Sequence, residues 1–410
     1  MHALGTFLRR LSRKVWFRAA LFTVAAVMFA LAAGVVGSWV PFTLEIDLGQ
    51  GSVGTILQII AASMLTVTTF SLTVMVTAYS SATTIGTPRA TQLLVQDPTS
   101  QNVLSSFIGA FVFALVGIIA LSTNYYTEQG RTILFFGTLL LVVIIVVTLL
   151  RWIAHLATFG RMSDVIDRVE SAATSAARAY AEHPTLGARA ASQPDHTSHP
   201  VRGEASGYVT QVDMSALQKA MEDLGDATVF VSATPGRFVD AHTPLVFAST
   251  ALPDGTRTAV VEAFRVEHHR TYDQDPRLGL IALAEIASRA LSPSTNDPGT
   301  AIQVIGAIHR VFTVVESTPK DEEVAYSQVQ VAAVPLEDLV DDAFRPIARD
   351  GAGMIEVQLR LQKCLGALAA ADPEHAELFR SAADGAFDRA CDALNERDLA
   401  LLSSARDGAF

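Results

Sequence analysis

The sequence predicts a membrane α-helical domain of four transmembrane helices followed by a cytoplasmic α+β domain. Three observations lead there. Half of the residues are hydrophobic and the mean hydropathy is positive, more apolar than an ordinary soluble domain. The apolar content is concentrated in four stretches, residues 19–40, 55–79, 103–121 and 133–153, each close to the roughly 17–25 residues that cross hydrocarbon. Charge is also uneven. Residues up to Phe159 hold eight of the 30 Lys and Arg and four of the 41 Asp and Glu, which leaves a formal charge of −15 beyond them.

The first span follows Arg9, Arg10, Arg13, Lys14 and Arg18, and the loop after it carries Glu45 and Asp47 with no basic residue. Arg89 lies between spans two and three, and Arg151, Arg161 and Arg168 accompany or follow span four. Excess Lys and Arg mark the cytoplasmic side, so both termini are expected in the cytoplasm; Arg131 in an outer loop is the one dissent. A signal peptide also starts with basic residues, but this apolar run exceeds an h-region of roughly 7–15 residues. Trp39, at the outer boundary, suits an interfacial anchor.

Span two carries the most informative pattern. Thr55, Gln58, Ala62, Thr66, Thr69, Thr73, Thr77 and Ser80 recur at intervals of three or four, which in a helix places them on one stripe. The rest of the span is Ile, Leu, Val, Met and Phe. Such a stripe either packs against another helix, where small residues allow close approach, or faces water in a pore lined by hydroxyls. Its length and the Ser/Thr/Gly-rich stretch 80–87 favour the pore, with Phe70 or Met75 as constrictions. No Asp, Glu, Lys or His lies in the core of any span. Ion-coupled carriers usually need one, so a passive conduit is the stronger form of a transport reading.

Span four is expected to run on into a helix over 162–181, and residues 182–207, rich in Pro, His, Ser and Gly, read as a flexible linker. The organisation is thus 1–160 transmembrane, 161–206 extension and linker, and 207–410 α+β with a helical C-terminal part. Residues 207–212, 228–232 and 245–248 read as strands, with Asp213 capping a helix over 214–224. Pro235-Gly236 and Pro253-Asp254-Gly255 mark turns, and 256–265 fits strand or helix. Helices follow over 278–290 and from Pro298 to about Val315, then a strand over 328–334. Helices over 337–349, 354–370 and much of 374–404 close the chain. The acidic balance argues against nucleic acid, whose phosphates need clustered cations. Cys364 and Cys391 have neither disulfide nor zinc spacing and read as reduced cysteines.

Polar residues cluster in Arg270, Tyr272, Asp273 and Asp275, and again in Ala290-Leu291-Ser292-Pro293 followed by Asn296-Asp297-Pro298 and Thr300-Ala301. The second cluster resembles the signature of bacterial predicted membrane proteins catalogued as domain of unknown function 2254. Pro88-Arg89, Asp97, Phe107-Ile108-Gly109-Ala110-Phe111, Gly207-Tyr208-Val209 and Pro235-Gly236-Arg237-Phe238-Val239 are similar to that family as well. His242-Thr243-Pro244-Leu245 departs from it, since members often have Gly before the Pro-Leu pair. The resemblance covers nearly the whole chain and implies several transmembrane helices followed by a cytoplasmic domain; the expected location is a bacterial inner membrane. It implies no activity.

From the residues themselves, Asp297 suits an N-cap and Pro298 the first helical position, where a missing N–H costs nothing; Ser292-Pro293 ends the preceding helix. The alternative is that Asp273, Asp275, Asn296 and Asp297 supply oxygen ligands to a hard cation. His268-His269 reads as a solvated pair. No Gly-x-Ser-x-Gly, Walker, zinc or dinucleotide pattern occurs, which removes the common enzymes and leaves an enzyme with a metal site at residues 273–297 as a third reading; no cofactor is expected. The expected partners are the lipid bilayer and further copies of the chain, with a small ligand or protein on the cytoplasmic domain unidentified. Two functions stand against each other: an oligomeric, channel-like conduit gated by the cytoplasmic domain, and a membrane-anchored sensor or scaffold.

Overall fold

The computed structural model describes residues 15–37, 52–95, 97–123, 125–193, 199–319 and 323–410. The chain forms two compact units, Met1–Thr84 with Thr91–Asp164, and Ile85–Ala90 with Val165–Phe410. Arg9 to Lys14, Trp39, Glu45 and Asp47, on which the first loop and the interfacial anchor were argued, lie outside the described residues.

In the first unit, α1 (Val15–Gly37), α2 (Ser52–Ile85), α4 (Pro98–Ser122) and α5 (Glu128–Leu156) are the long apolar helices, and α3 (Pro88–Val95) is a short one between α2 and α4. By length and composition α2, α4 and α5 could each cross a bilayer, and α1 contains a shorter apolar core, Ala19–Val35. Their ends follow from local chemistry. Asp97 caps α4 by accepting the Ser100 N–H at 2.7 Å, with Pro98 in the first turn, and Thr127 caps α5 through Gly130. The bundle is tightest between α1 and α4, where the Tyr126 hydroxyl donates to the Ala30 carbonyl at 2.7 Å. Large apolar side chains cover much of the outside, among them Met28, Ile59, Phe70, Leu140 and Leu150. A surface this apolar is a poor match to water.

The expected continuation of span four is interrupted. Helix α5 stops at Leu156, residues 157–161 turn, and α6 (Met162–Glu182) starts afresh. Gly160 takes φ +76° there, and its N–H donates to the Asp164 carboxylate at 3.1 Å. That positive φ disfavours an L side chain.

The second unit holds two sheets and a helical part. Strands β1 (Ala188–Ala190), β2 (His199–Arg202), β4 (Val229–Val231), β6 (Pro244–Ala248) and β8 (Tyr326–Val331) form a five-stranded sheet in the order β1-β8-β4-β6-β2. The β1–β8 and β8–β4 pairings are parallel and the others antiparallel. Strands β3 (Gly207–Val212), β5 (Phe238–Val239) and β7 (Phe264–Glu267) form an antiparallel sheet, order β5-β3-β7. Helix α7 (Met214–Met221), capped by Asp213 through the Ala216 N–H, adds Leu217 and Met221 to a core with Val209, Val229, Val246 and Val329. Residues 182–207, expected as a linker, therefore carry two edge strands, β1 and β2. Runs of three or four residues give no readable alternation, and Pro200 is tolerated because β2 is an edge. The ambiguous 256–265 resolves into α8 (Asp254–Glu262) followed by β7, so Pro253 starts a helix rather than a free turn.

The helical part comprises α9 (Pro276–Ala290), α10 (Pro298–Ser317), α11 (Leu336–Asp350), α12 (Ile355–Ala371), α13 (Ala376–Cys391) and α14 (Glu396–Asp407). Helix α10 is also long and apolar enough for a span by composition, but Ala301, Val304, Ile305, Ile308, Val311 and Phe312 are buried within this unit. Phe312 stacks on Phe344 of α11 at 5.7 Å and meets Phe379 of α13 edge-on at 5.9 Å, contacts that add to simple burial.

Candidate functional site

Helix α2 is buried along one side only, and its outer side mixes the polar stripe with Ile59, Leu65, Phe70, Leu72 and Val76. Val53, Leu57, Ile60, Ala61, Met64, Ser71, Met75 and Ala82 are buried inside the first unit. Thr55, Gln58, Ala62, Thr66, Thr69, Thr73, Thr77 and Ser80 are all exposed. The stripe is therefore not held in a dry contact within one subunit. Of the two expected constrictions, Met75 is 6% exposed and belongs to the inner face, whereas Phe70 is 64% exposed beside the stripe. Met75 cannot line a path along the stripe, because it lies on the opposite side of the helix.

Four of the stripe hydroxyls are occupied as donors. Thr66 donates to the Ala62 carbonyl at 2.9 Å, Thr73 to Thr69 at 3.0 Å and Thr77 to Thr73 at 2.9 Å; Thr69 divides its hydrogen bond between Leu65 at 3.1 Å and Thr66 at 2.9 Å. A threonine bonded back to its own helix keeps its oxygen lone pairs outward. The result is an uncharged face that accepts hydrogen bonds.

Behind the stripe lies a polar chain that the sequence did not announce. Ser71, fully buried, accepts from Trp152 Nε1 at 2.8 Å. The Trp152 ring stacks on His155 at 5.6 Å, and His155 Nε2 lies 3.1 Å from the buried Asp97 carboxylate, which also accepts the Ser100 hydroxyl at 2.6 Å. Asp97 and His155 sit just outside the apolar cores, 58 residues apart in sequence. Only packing brings them together.

In the second unit, the residues of the first polar cluster serve mainly one another. Arg270 grips Asp275 with a two-pronged pair at 2.6 and 2.8 Å. The same carboxylate caps α9 through the Arg277 and Leu278 N–H groups. Gly236, at φ +92°, lets this pair approach: a Cβ there would fall 2.6 Å from Asp275 Oδ2. Arg277 in turn bonds Asp338 and Asp342 of α11. Tyr272 donates to the Arg89 carbonyl at 3.0 Å, and Arg89 pairs with Glu285. Burial pushes the Tyr272 phenol above its ordinary range, so it stays a donor. Glu285 Oε2 is buried with no hydrogen-bond partner.

The second cluster forms the α9–α10 corner. Asp297 caps α10 through the Thr300 N–H at 3.1 Å and hydroxyl at 2.6 Å, and these bonds hold its carboxyl below the usual range. Asn296 adopts φ +50°, and Ser292 donates to the Arg289 carbonyl at 2.7 Å. Asp275 and Asp297 are thus engaged at different helix starts. Among the described residues no three His, Cys, Asp or Glu side chains come together to hold a metal ion. Cys364 is buried against His309, and burial pushes its thiol up to about 12, which leaves it a packing group.

A set of long apolar helices ahead of a mixed α/β unit fits the description of a membrane protein. The chain belongs to the family described as predicted membrane protein (DUF2254), whose profile matches residues 12–367. It is 25% identical over 319 residues to uncharacterized proteins of Mycobacterium bovis and of Mycobacterium tuberculosis, covering 73% of this chain and 60% of each relative. The chain therefore spans about three-fifths of the length of the curated relatives it matches. No solved structure matches it.

Proposed function

We propose that this chain is a multi-pass protein of a bacterial inner membrane, with both termini cytoplasmic, whose copies assemble with α2 around a common axis to form a channel-like conduit. The observation that carries the reading is the exposure of all eight stripe residues along α2 while Val53, Leu57, Ile60, Met64 and Met75 turn inward. A hydroxyl face on the outside of a bundle is best used against another copy or against water. Its outward lone pairs favour cations and neutral polar solutes over anions, and the absence of a charge on it suits passive movement.

The gate we infer is the corner after α2. The helix leads directly into Ile85–Ala90, a segment that belongs to the second unit, where Tyr272 and Glu285 hold Arg89. This route replaces a rigid continuation of span four, which the break at residues 157–161 removes. The test is flux of potassium ions or small neutral solutes into liposomes containing the purified chain. Flux that is lost when Thr69 and Thr73 are both changed to Leu supports the reading. A stable monomer without flux overturns it.

A further inference from the structure

The α9–α10 corner does more than turn the chain: it forms one wall of an open cleft of about 680 Å³, within the range of small-ligand sites. Ser288, Leu291, Ser292 and Asn296 face it from the corner, and Asp350 and Met354 from the end of α11 and the turn beyond. Capping explains Asp297 and Pro298, but it does not require Ser288, Asn296 or Asp350 to share a hollow.

The charge of the cleft rests on one side chain. Helices α9 and α11 end at it, but α12 begins at the lining residue Met354, so opposite dipole ends meet there. Its single ionisable lining side chain is the Asp350 carboxylate, with hydroxyls and an amide beside it and Leu291 and Met354 as apolar wall. Asp350 already holds a guanidinium: Arg349 Nε and Nη2 lie 2.6 and 2.9 Å from its two oxygens. The Arg349 guanidinium keeps the carboxyl below its ordinary range, so it is charged at neutral pH. The Arg349 side chain is 67% exposed, and exposed pairs of this kind add little to stability and exchange readily. Arg349 thus competes with any free cation for the Asp350 carboxylate.

We propose that this cleft is a binding site for a small organic cation, an amine or guanidinium compound, seated on Asp350 with its apolar part against Leu291 and Met354. The net negative charge of the residues beyond Phe159 would raise the local concentration of such a ligand. The site stands on the second unit alone and is read without flux, so it fails or holds independently of conduction.

The test is calorimetric titration of the full-length chain with agmatine and with 1,4-diaminobutane, against acetate, inorganic phosphate and Mg²⁺. Saturable binding of the two organic cations is expected, weakened about tenfold or more by Asp350→Asn, as loss of a charge-assisted contact implies. Arg349→Gln removes the competitor from an exposed position and should tighten binding several-fold. Preference for phosphate or for Mg²⁺, no binding of either organic cation, or weakening by Arg349→Gln would each overturn the proposal. Should Asp350→Asn fail to fold, the direction of the Arg349→Gln effect alone decides.

Discussion

At the scale of single residues, the second unit is most sensitive where one carboxylate serves several partners. Asp275 is 2% exposed, pairs with Arg270 and caps α9. Removing one member of a buried pair strands the other, at a cost of about 3–5 kcal/mol. Asp275→Asn should lower the unfolding free energy by that order in denaturant melts. Gly236→Ala should cost about 1–3 kcal/mol through its positive φ, and the clash with Asp275 adds to it. The two effects share a corner, so the double variant should lose less than the sum. Titration gives a second test at this scale. Burial lowers His309 from its ordinary value, so its contribution is present above about pH 6.5 and lost as pH falls through the lower folded value. Asp297 and Asp350 are also lowered; their contribution is present above about pH 4 and lost as pH falls through their folded values. Stability measured against pH should fall in two stages, and His309→Gln should flatten only the upper one.

At the scale of elements, α2 offers a sharp contrast between its faces. Thr69 and Thr73 are exposed and bonded to their own helix, so Thr69→Leu with Thr73→Leu should leave the melting temperature in detergent nearly unchanged while abolishing flux. Ser71 lies between them in sequence but is fully buried against Trp152. Ser71→Leu overpacks that site, at about 1–3 kcal/mol, and leaves the indole N–H unpaired; it should lower the melting temperature clearly. Equal effects from both variants would mean that the stripe is a packing face. The same helix shows what a sequence can and cannot disclose. The spacing of the threonines was readable because periodicity is local, and so was Asp297-Pro298 as a helix start. The partnership of Asp97 with His155 was not, because it depends on α4 and α5 meeting. Asp275-Pro276 has the same cap-and-proline form as Asp297-Pro298, so the same local signal marks the start of α9, whereas the pairing of Asp275 with Arg270 rests on the close approach that Gly236 allows. Strands β1 and β2 escaped for want of length.

At the scale of the whole molecule, the boundary of the second unit decides what can be cut free. Composition places the boundary near residue 207, after the Pro/His/Ser/Gly-rich stretch. The contacts begin earlier. Helix α6 buries Val165, Ile166, Val169 and Ala173, and its Ala173 approaches Gly279 of α9 so closely that a Cβ there would overlap the alanine's own. Glu170 receives a two-pronged bond from Arg310, both contacts at 2.6 Å, and the Tyr180 hydroxyl donates to the Val334 carbonyl at 2.7 Å. Strand β1 then covers one edge of the five-stranded sheet and β2 the other. A fragment 205–410 loses α6 and both edge strands, exposing β8 and β6 as open edges prone to self-association. A fragment 165–410 keeps all of these and lacks only the short Ile85–Ala90 segment. Expressed side by side, the longer fragment should melt cooperatively as a monomer, and the shorter should aggregate or show a non-cooperative transition. Cooperative, monomeric unfolding of 205–410 with equal stability would mean that α6 and the edge strands are ornaments on a core that ends at β3. The Arg89 corner would then have to act on a much smaller body than the one it is joined to here.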